Sequence, residues 1–190
     1  MAEIETLAVI GGSALARTIA LTAARSGYRT ILQNILPASL RQAGDEIREN
    51  LAKVVQLGQI SPADAESALH RLEYVATVEE AAREADLVIE AVPDEIESKL
   101  EIFTLLDKIC RPRTILACTT SFLSISEIAS VTYRDGQILG MCFPSPGNES
   151  KRLELVRGHE TNDATVAACV EFGRQMGMET VVIAESESGG

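Results

Sequence analysis

Leu7-Ala-Val-Ile10-Gly11-Gly12-Ser13-Ala14-Leu15-Ala16 joins a short apolar run to a pair of glycines, and a Pro-free stretch with helical spacing follows to Ser26. A strand, a tight glycine turn and a helix, in that order, open a dinucleotide-binding fold. The first glycine makes the turn, the second lets the backbone approach a pyrophosphate, and the third permits close helix–strand packing. Here Ser13 stands at the second of these positions and Ala16 at the third. Ser13 adds a Cβ and a hydroxyl that either donates to a phosphate or narrows its approach. On the motif alone, an ordinary strand–helix turn is an equally good reading.

Outward from that turn, strand-like and helix-like patterns alternate. Arg29 to Leu32 reads as a second strand. Pro37 to Leu72 is helical, broken at Gly58 and restarted at Ser61-Pro62, where Ser caps and Pro takes the first helical position. Val75 to Val78 reads as a short strand-like link. Ala85 to Val92 and Thr114 to Cys118 are buried-strand patterns on either side of a helix from Ile96 to Ile109. A helix from Ser124 to Ser130, strands at Gln137 to Met141 and Leu153 to Val156, a helix from Asp163 to Met176 and a strand from Thr180 to Ala184 complete the series. The pattern, β-α-β throughout, predicts an α/β fold with a doubly wound, mostly parallel sheet. The stretch 37–72 is too long for one crossover, which predicts a helical-hairpin insertion after the second strand. Residues 1–185 then form one domain, with 186–190 as a frayed tail.

The composition agrees. Of 190 residues, 46% are hydrophobic but only 4% aromatic, so Val, Ile, Leu and Ala must pack the core, as in parallel sheets under Ala-rich helices. No apolar run reaches the roughly 20 residues needed to span a bilayer, and the acidic opening is unlike a signal peptide, so the expected location is the cytoplasm. Cys110, Cys118, Cys142 and Cys169 include no C-x-x-C pair, which argues against a disulfide framework or a zinc site, and no metal is expected. A net charge of −11 argues against nucleic acid or an anionic membrane as partner. It leaves room for an anionic nucleotide, since loop amides and a helix N-terminus bind phosphate without basic side chains.

After the second strand, at the distance where such folds place an acid to accept from the ribose hydroxyls, the chain has Asn34. Asn still hydrogen-bonds a ribose without the strength of a charged acceptor. It also removes repulsion towards a 2′-phosphate, yet no Arg follows immediately to grip one. The residues therefore favour NAD over NADP.

Several longer stretches carry a more specific likeness: Ala85-Asp86-Leu-Val-Ile-Glu90-Ala-Val92 with Lys99 beyond it, Ile115 to Ile125, Gly140-Met141-Cys142-Phe143, and Lys151 to Gly158. With these, the chain from Leu7 to about Ile183 resembles the N-terminal, Rossmann-like NAD-binding domain of 3-hydroxyacyl-CoA dehydrogenases. The insertion is similar to the helical hairpin that family carries beside its nucleotide. The resemblance implies an oxidoreductase of fatty-acid metabolism, with NAD as cofactor and an acyl-CoA as substrate. It assigns Gly11, Gly12 and Ser13 to the pyrophosphate turn and Asn34 to the adenosine ribose. Asp94, where the family has Glu, and Lys99 would lie on the nicotinamide side; alone, Lys99 reads as a solvated helix lysine. Ser121 matches a Ser that contacts the substrate oxygen, and Glu154 the carboxylate that orients a catalytic His. The family continues into a helical domain that closes over the acyl chain and forms a homodimer, and this sequence stops where that domain is expected.

The departures gather on the chemistry. The family's catalytic His position holds Cys142, and Thr119 and Ser145 stand where it carries Asn. Hydroxyl oxidation needs a base to take the proton as hydride leaves, a task for His with a pKa near the working pH. A thiol with an unperturbed pKa of about 8.5 is a poor substitute, and the Glu154 carboxylate would raise it further. His70, in the insertion, and His159, in a polar turn, read as surface residues. Two functions remain open: a 3-hydroxyacyl-CoA dehydrogenase domain of weak activity, or a noncatalytic nucleotide-binding relative with a regulatory or scaffolding role. New thiol chemistry at Cys142 is disfavoured, because no cation or histidine adjoins it in sequence.

Overall fold

The structure, a computed structural model, describes residues 3–120, 122–148 and 150–185. The chain runs β1 (Thr6–Ile10), α1 (Ala14–Arg25), β2 (Arg29–Gln33), α2 (Pro37–Gln56), α3 (Pro62–His70), β3 (Leu72–Val75), α4 (Val78–Ala82) and β4 (Leu87–Glu90). It continues through α5 (Ile96–Ile109), β5 (Ile115–Cys118), α6 (Ile125–Ala129), β6 (Ile138–Cys142), β7 (Arg152–Arg157), α7 (Asp163–Gln175) and β8 (Glu179–Ala184). These strands form one sheet in the order β3-β2-β1-β4-β5-β6-β7-β8. Every pairing is parallel except that of β6 with β7.

Strands buried on both faces need no polar alternation, which is why β1, β4 and β5 read as continuous apolar runs. One core packs Leu7, Val9, Leu87, Ile89 and Met141 under Ile19 and Ala23 of α1 and Phe172 of α7. The opposite core packs Ala8, Ile10, Val88 and Leu116 under Phe103 and Leu106 of α5 and Ile128 of α6. Between β2 and β3, α2 and α3 pack on each other and on α1. Ser61 and Asp64 close a capping box at the start of α3.

Two readings from sequence change. Of residues 75–78 only Val75 is in a strand, as the last residue of β3 (Leu72–Val75): Thr77 and Glu80 form a reciprocal capping box that starts α4 at Val78. The signature Thr-x-x-Glu names such a helix start, but the β-branched flanks masked it. The second concerns the β-α-β repeat, which fails between β6 and β7. These strands are antiparallel with no helix between them, so Cys142 and Glu154 lie directly opposite each other. No helix among the described residues is long and apolar enough to cross a membrane.

Cys110, Cys118 and Cys169 are buried. Burial pushes the Cys110 thiol up to about 11 and Cys169 to about 12. Cys118 is raised further by burial and by the Glu90 carboxylate. Where the folded state holds a thiol protonated, stability is fully present below the unfolded pKa and is lost as pH rises from that value towards the folded one. Three such groups, each ionising from about 8.5 when unfolded, predict a loss of roughly 6 kcal/mol between pH 8 and pH 10, at about 1.4 kcal/mol per unit and thiol. Urea unfolding at the two pH values measures it, and Cys169→Ala should remove about a third of the slope. A pH-independent midpoint would refute the explanation.

Candidate functional site

From β1 the chain winds outward through β2 to β3, then returns to β4 on the other side of β1. The carboxyl ends of β1 and β4 therefore open a crevice at a topological switch point, the place where α/β sheets bind ligands. Gly11 leaves β1 with φ +128°, and a Cβ there would stand 2.6 Å from the Ala91 carbonyl oxygen. No other residue fits that approach. A Cβ on Gly12 would coincide with the Asn34 side chain, 1.6 Å from Nδ2. Asn34, just beyond β2, thus leans over the turn. Its Oδ1 accepts from the Leu36 amide at 2.8 Å, and its NH2 group lies against Gly12.

Ser13 caps α1: its Oγ accepts from the Ala16 amide at 3.1 Å, so the remaining first-turn amides have no intrahelical partner and suit an anion. Arg17 donates to the Gly12 carbonyl at 2.7 Å and pairs with Glu46 of α2 at 2.9 Å. The glycine turn is thereby tied to the inserted helices.

Beyond β4 lies a buried ionic cluster. The Lys99 ammonium, on α5, donates to Glu90 Oε1 at 3.0 Å and Oε2 at 2.7 Å, and stands 3.3 Å from Asp94 Oδ1. The side chains of Lys99 and Glu90 are 0% exposed and that of Asp94 29%. Glu90 also accepts from the Val92 amide at 2.7 Å and from the Cys118 thiol at 3.3 Å. Burial alone would lower the Lys99 pKa, but Cys118 and the Glu90 and Asp94 carboxylates outweigh it and hold the value above that of ordinary lysine. The solvated-lysine reading of Lys99 is overturned. Asp94 Oδ1 is buried and has no hydrogen bond among the described residues, so the Lys99 ion pair is what holds it.

Cys142 ends β6, half-buried, and its thiol donates to the Thr120 carbonyl at 2.7 Å. Residues directly opposite in an antiparallel pair share a face, so the Glu154 side chain lies beside it. The Glu154 carboxylate pairs with Arg152 at 2.8 Å. Ser121 and the tail 186–190 lie outside the described residues. Ser145 lines a small cavity with Phe143 and Pro144, and the Thr119 amide donates to the Glu90 carbonyl at 3.0 Å. His70 is 78% exposed on α3 and His159 is exposed, so neither takes the place of the missing imidazole. Among the described residues no cluster of His, Cys, Asp and Glu could hold a metal.

Sequence reasoning missed Glu90 as the anchor of the cluster. The signal was a carboxylate ending an otherwise apolar buried run, since such a charge needs a partner.

Residues 6–186 match the NAD-binding domain of 3-hydroxyacyl-CoA dehydrogenase. The chain is 34% identical over 181 residues to a probable 3-hydroxybutyryl-CoA dehydrogenase of Bacillus subtilis, covering 95% of this chain and 63% of that one. It is 33% identical over 181 residues to the 3-hydroxyadipyl-CoA dehydrogenase of Escherichia coli, covering 95% and 38%. It superposes on the crystal structure of a 3-hydroxybutyryl-CoA dehydrogenase from Escherichia coli K12 with a TM-score of 0.93 and 31% identity, over 96% of this chain and 39% of that one. The chain thus spans less than two thirds of these relatives. It belongs to the 3-hydroxyacyl-CoA dehydrogenase family and carries that family's NAD-binding domain.

Proposed function

We propose that this chain binds NAD(H), in preference to NADP(H), as the cofactor half of a protein of 3-hydroxyacyl-CoA chemistry. The observation that carries the reading is the glycine turn at the switch point: Gly11 and Gly12 let the end of β1 pack directly against Ala91 and Asn34, where any Cβ would clash, and the Asp94–Lys99 ion pair lies beyond the neighbouring β4. The residues fit the dinucleotide. Gly11, Gly12 and Ser13 hold the pyrophosphate, Asn34 donates to the adenosine ribose, and Asp94 accepts from the nicotinamide amide. Lys99 acts through Asp94, because its ammonium is enclosed. Arg17 is already engaged by Gly12 and Glu46, so it is not offered to a 2′-phosphate.

When bound, the nicotinamide supplies a hydride acceptor. On the substrate side Ser121 donates to the acyl-CoA oxygen and Cys142 stands in the base's position. A thiol that donates to Thr120 is not poised to accept a proton, so turnover by this chain is weak. That same bond favours a second reading, a noncatalytic nucleotide-binding relative with a regulatory or scaffolding role.

Calorimetric titration with NADH tests the shared part of both readings. Wild type should bind weakly. Asn34→Asp should bind about tenfold more tightly, since a charge-assisted hydrogen bond adds roughly 1.4 kcal/mol over a neutral one, and should discriminate more strongly against NADPH. No heat of binding from either protein would remove both readings.

A further inference from the structure

The chain holds 28 acidic side chains against 17 basic ones, so a cation without a carboxylate is the exception. Every arginine among the described residues except Arg25, Arg41 and Arg71 has a carboxylate within ion-pair distance. Arg25 and Arg71 line one groove of about 760 Å³, and Lys151, also without a carboxylate, lines it too. Asp64 is the one acidic residue on that lining, and its carboxylate is turned into the capping box with Ser61. The groove lies where the end of α1 meets α3 and the start of β8, away from the glycine turn.

A structural explanation accounts for only part of this. Arg71 donates to the Ala24 carbonyl at 3.4 Å, and cations are favoured at a helix C-terminus, but that end carries only about half an elementary charge. Three cations around one concavity therefore leave a positive excess on a protein that is negative overall. The Ser67 hydroxyl lies beside them on the lining.

We propose that this groove binds a phosphate-bearing anion of the diphosphate or polyphosphate class, with Arg25, Arg71 and Lys151 as its clamp. The volume exceeds what pyrophosphate fills, and Thr22, Met176 and Met178 are shared with a narrower cavity of about 90 Å³ that reaches Phe143 and Pro144, just after Cys142. An organic extension on the phosphates can follow that path. The two sources of such phosphates are a free polyphosphate and the phosphorylated head of a thioester substrate.

Calorimetry with pyrophosphate and, separately, with coenzyme A, both with NADH in excess, distinguishes the sources. Binding of both at similar strength marks a free-anion site, and much tighter coenzyme A marks a head-group site; either supports the clamp. Arg71→Gln and Lys151→Gln should each weaken binding roughly tenfold, the usual loss for one charge-assisted contact. Ser67→Asp, which adds a carboxylate to the groove, should abolish it. These side chains are at least partly exposed, and unchanged circular dichroism melting confirms that the variants fold. Failure of both anions to bind, or binding that is indifferent to all three substitutions, overturns the proposal. Because the readout is dependence on these three positions, a chain that fails to bind NADH leaves the groove standing.

Discussion

Lys99→Met is expected to lower the unfolding free energy by about 3–5 kcal/mol, the usual cost of removing one partner of a buried ion pair. Met matches the length of the lysine stem, so the packing of α5 against β4 is kept and the loss is electrostatic. Wild-type Glu90 is wholly enclosed and takes both its oxygens to Lys99. Without the ammonium, the Val92 amide and the Cys118 thiol are its remaining partners, and neither offsets a full buried charge. Glu90 must then take up a proton, which gives the variant a distinct pH signature. A carboxyl group with its folded pKa raised above the unfolded value binds a proton preferentially in the folded state, so stability rises as pH falls through that window. The deficit should be largest near pH 8 and smaller near pH 5. Urea unfolding at both values measures it. The pair Glu90→Gln with Lys99→Met should recover most of the loss, because a neutral, shape-matched replacement removes the buried charge. Equal losses in the single and double variants would mean that packing, not charge, holds α5 to β4.

That cluster also shows where sequence reading stops. The sheet and the glycine turn were legible because their signals are local: apolar runs buried on both faces, a Gly pair, Ser61 at a helix start. Gly12 and Asn34 were placed at one site by spacing alone, and they meet there. Glu90 and Lys99 are nine residues apart on different elements, and only the crossing of α5 over β4 brings them together. The same holds for Arg25, Arg71 and Lys151, which come from three separate parts of the chain. The hydrogen bond from Cys142 to Thr120 joins the ends of neighbouring strands β6 and β5, and pairing geometry of that kind leaves no trace in periodicity. Thr77 is a different kind of miss, since its capping signature was present and local.

Cys142→His is the substitution with the largest expected effect on chemistry. Acetoacetyl-CoA reduction with NADH, measured on this chain, should rise by roughly 10²–10⁴-fold, the contribution of a positioned general acid or base. In that direction hydride goes from the nicotinamide to the carbonyl carbon, and an imidazolium at position 142 gives its proton to the developing alkoxide. The wild-type thiol is directed at the Thr120 carbonyl and makes a weak proton donor to substrate. Position 142 is half-buried at the end of β6, so the larger ring is not placed in a closed core. Glu154, directly opposite, is placed to accept from the imidazole, provided that it gives up Arg152. Protonation of the imidazole should then follow a pKa above the ordinary value of about 6.5, because the carboxylate favours the charged ring. The rate should fall as pH rises through that value, whereas wild type should show no such limb near neutrality. Adding Glu154→Gln should shift the limb back towards lower pH, which separates orientation and charge from mere bulk at position 142. If the variant binds NADH as wild type does yet gains no turnover, the defect extends beyond one residue and the noncatalytic reading takes precedence. A gain in rate with the pH limb in place would show that Cys142 alone holds this cofactor domain back from hydride transfer.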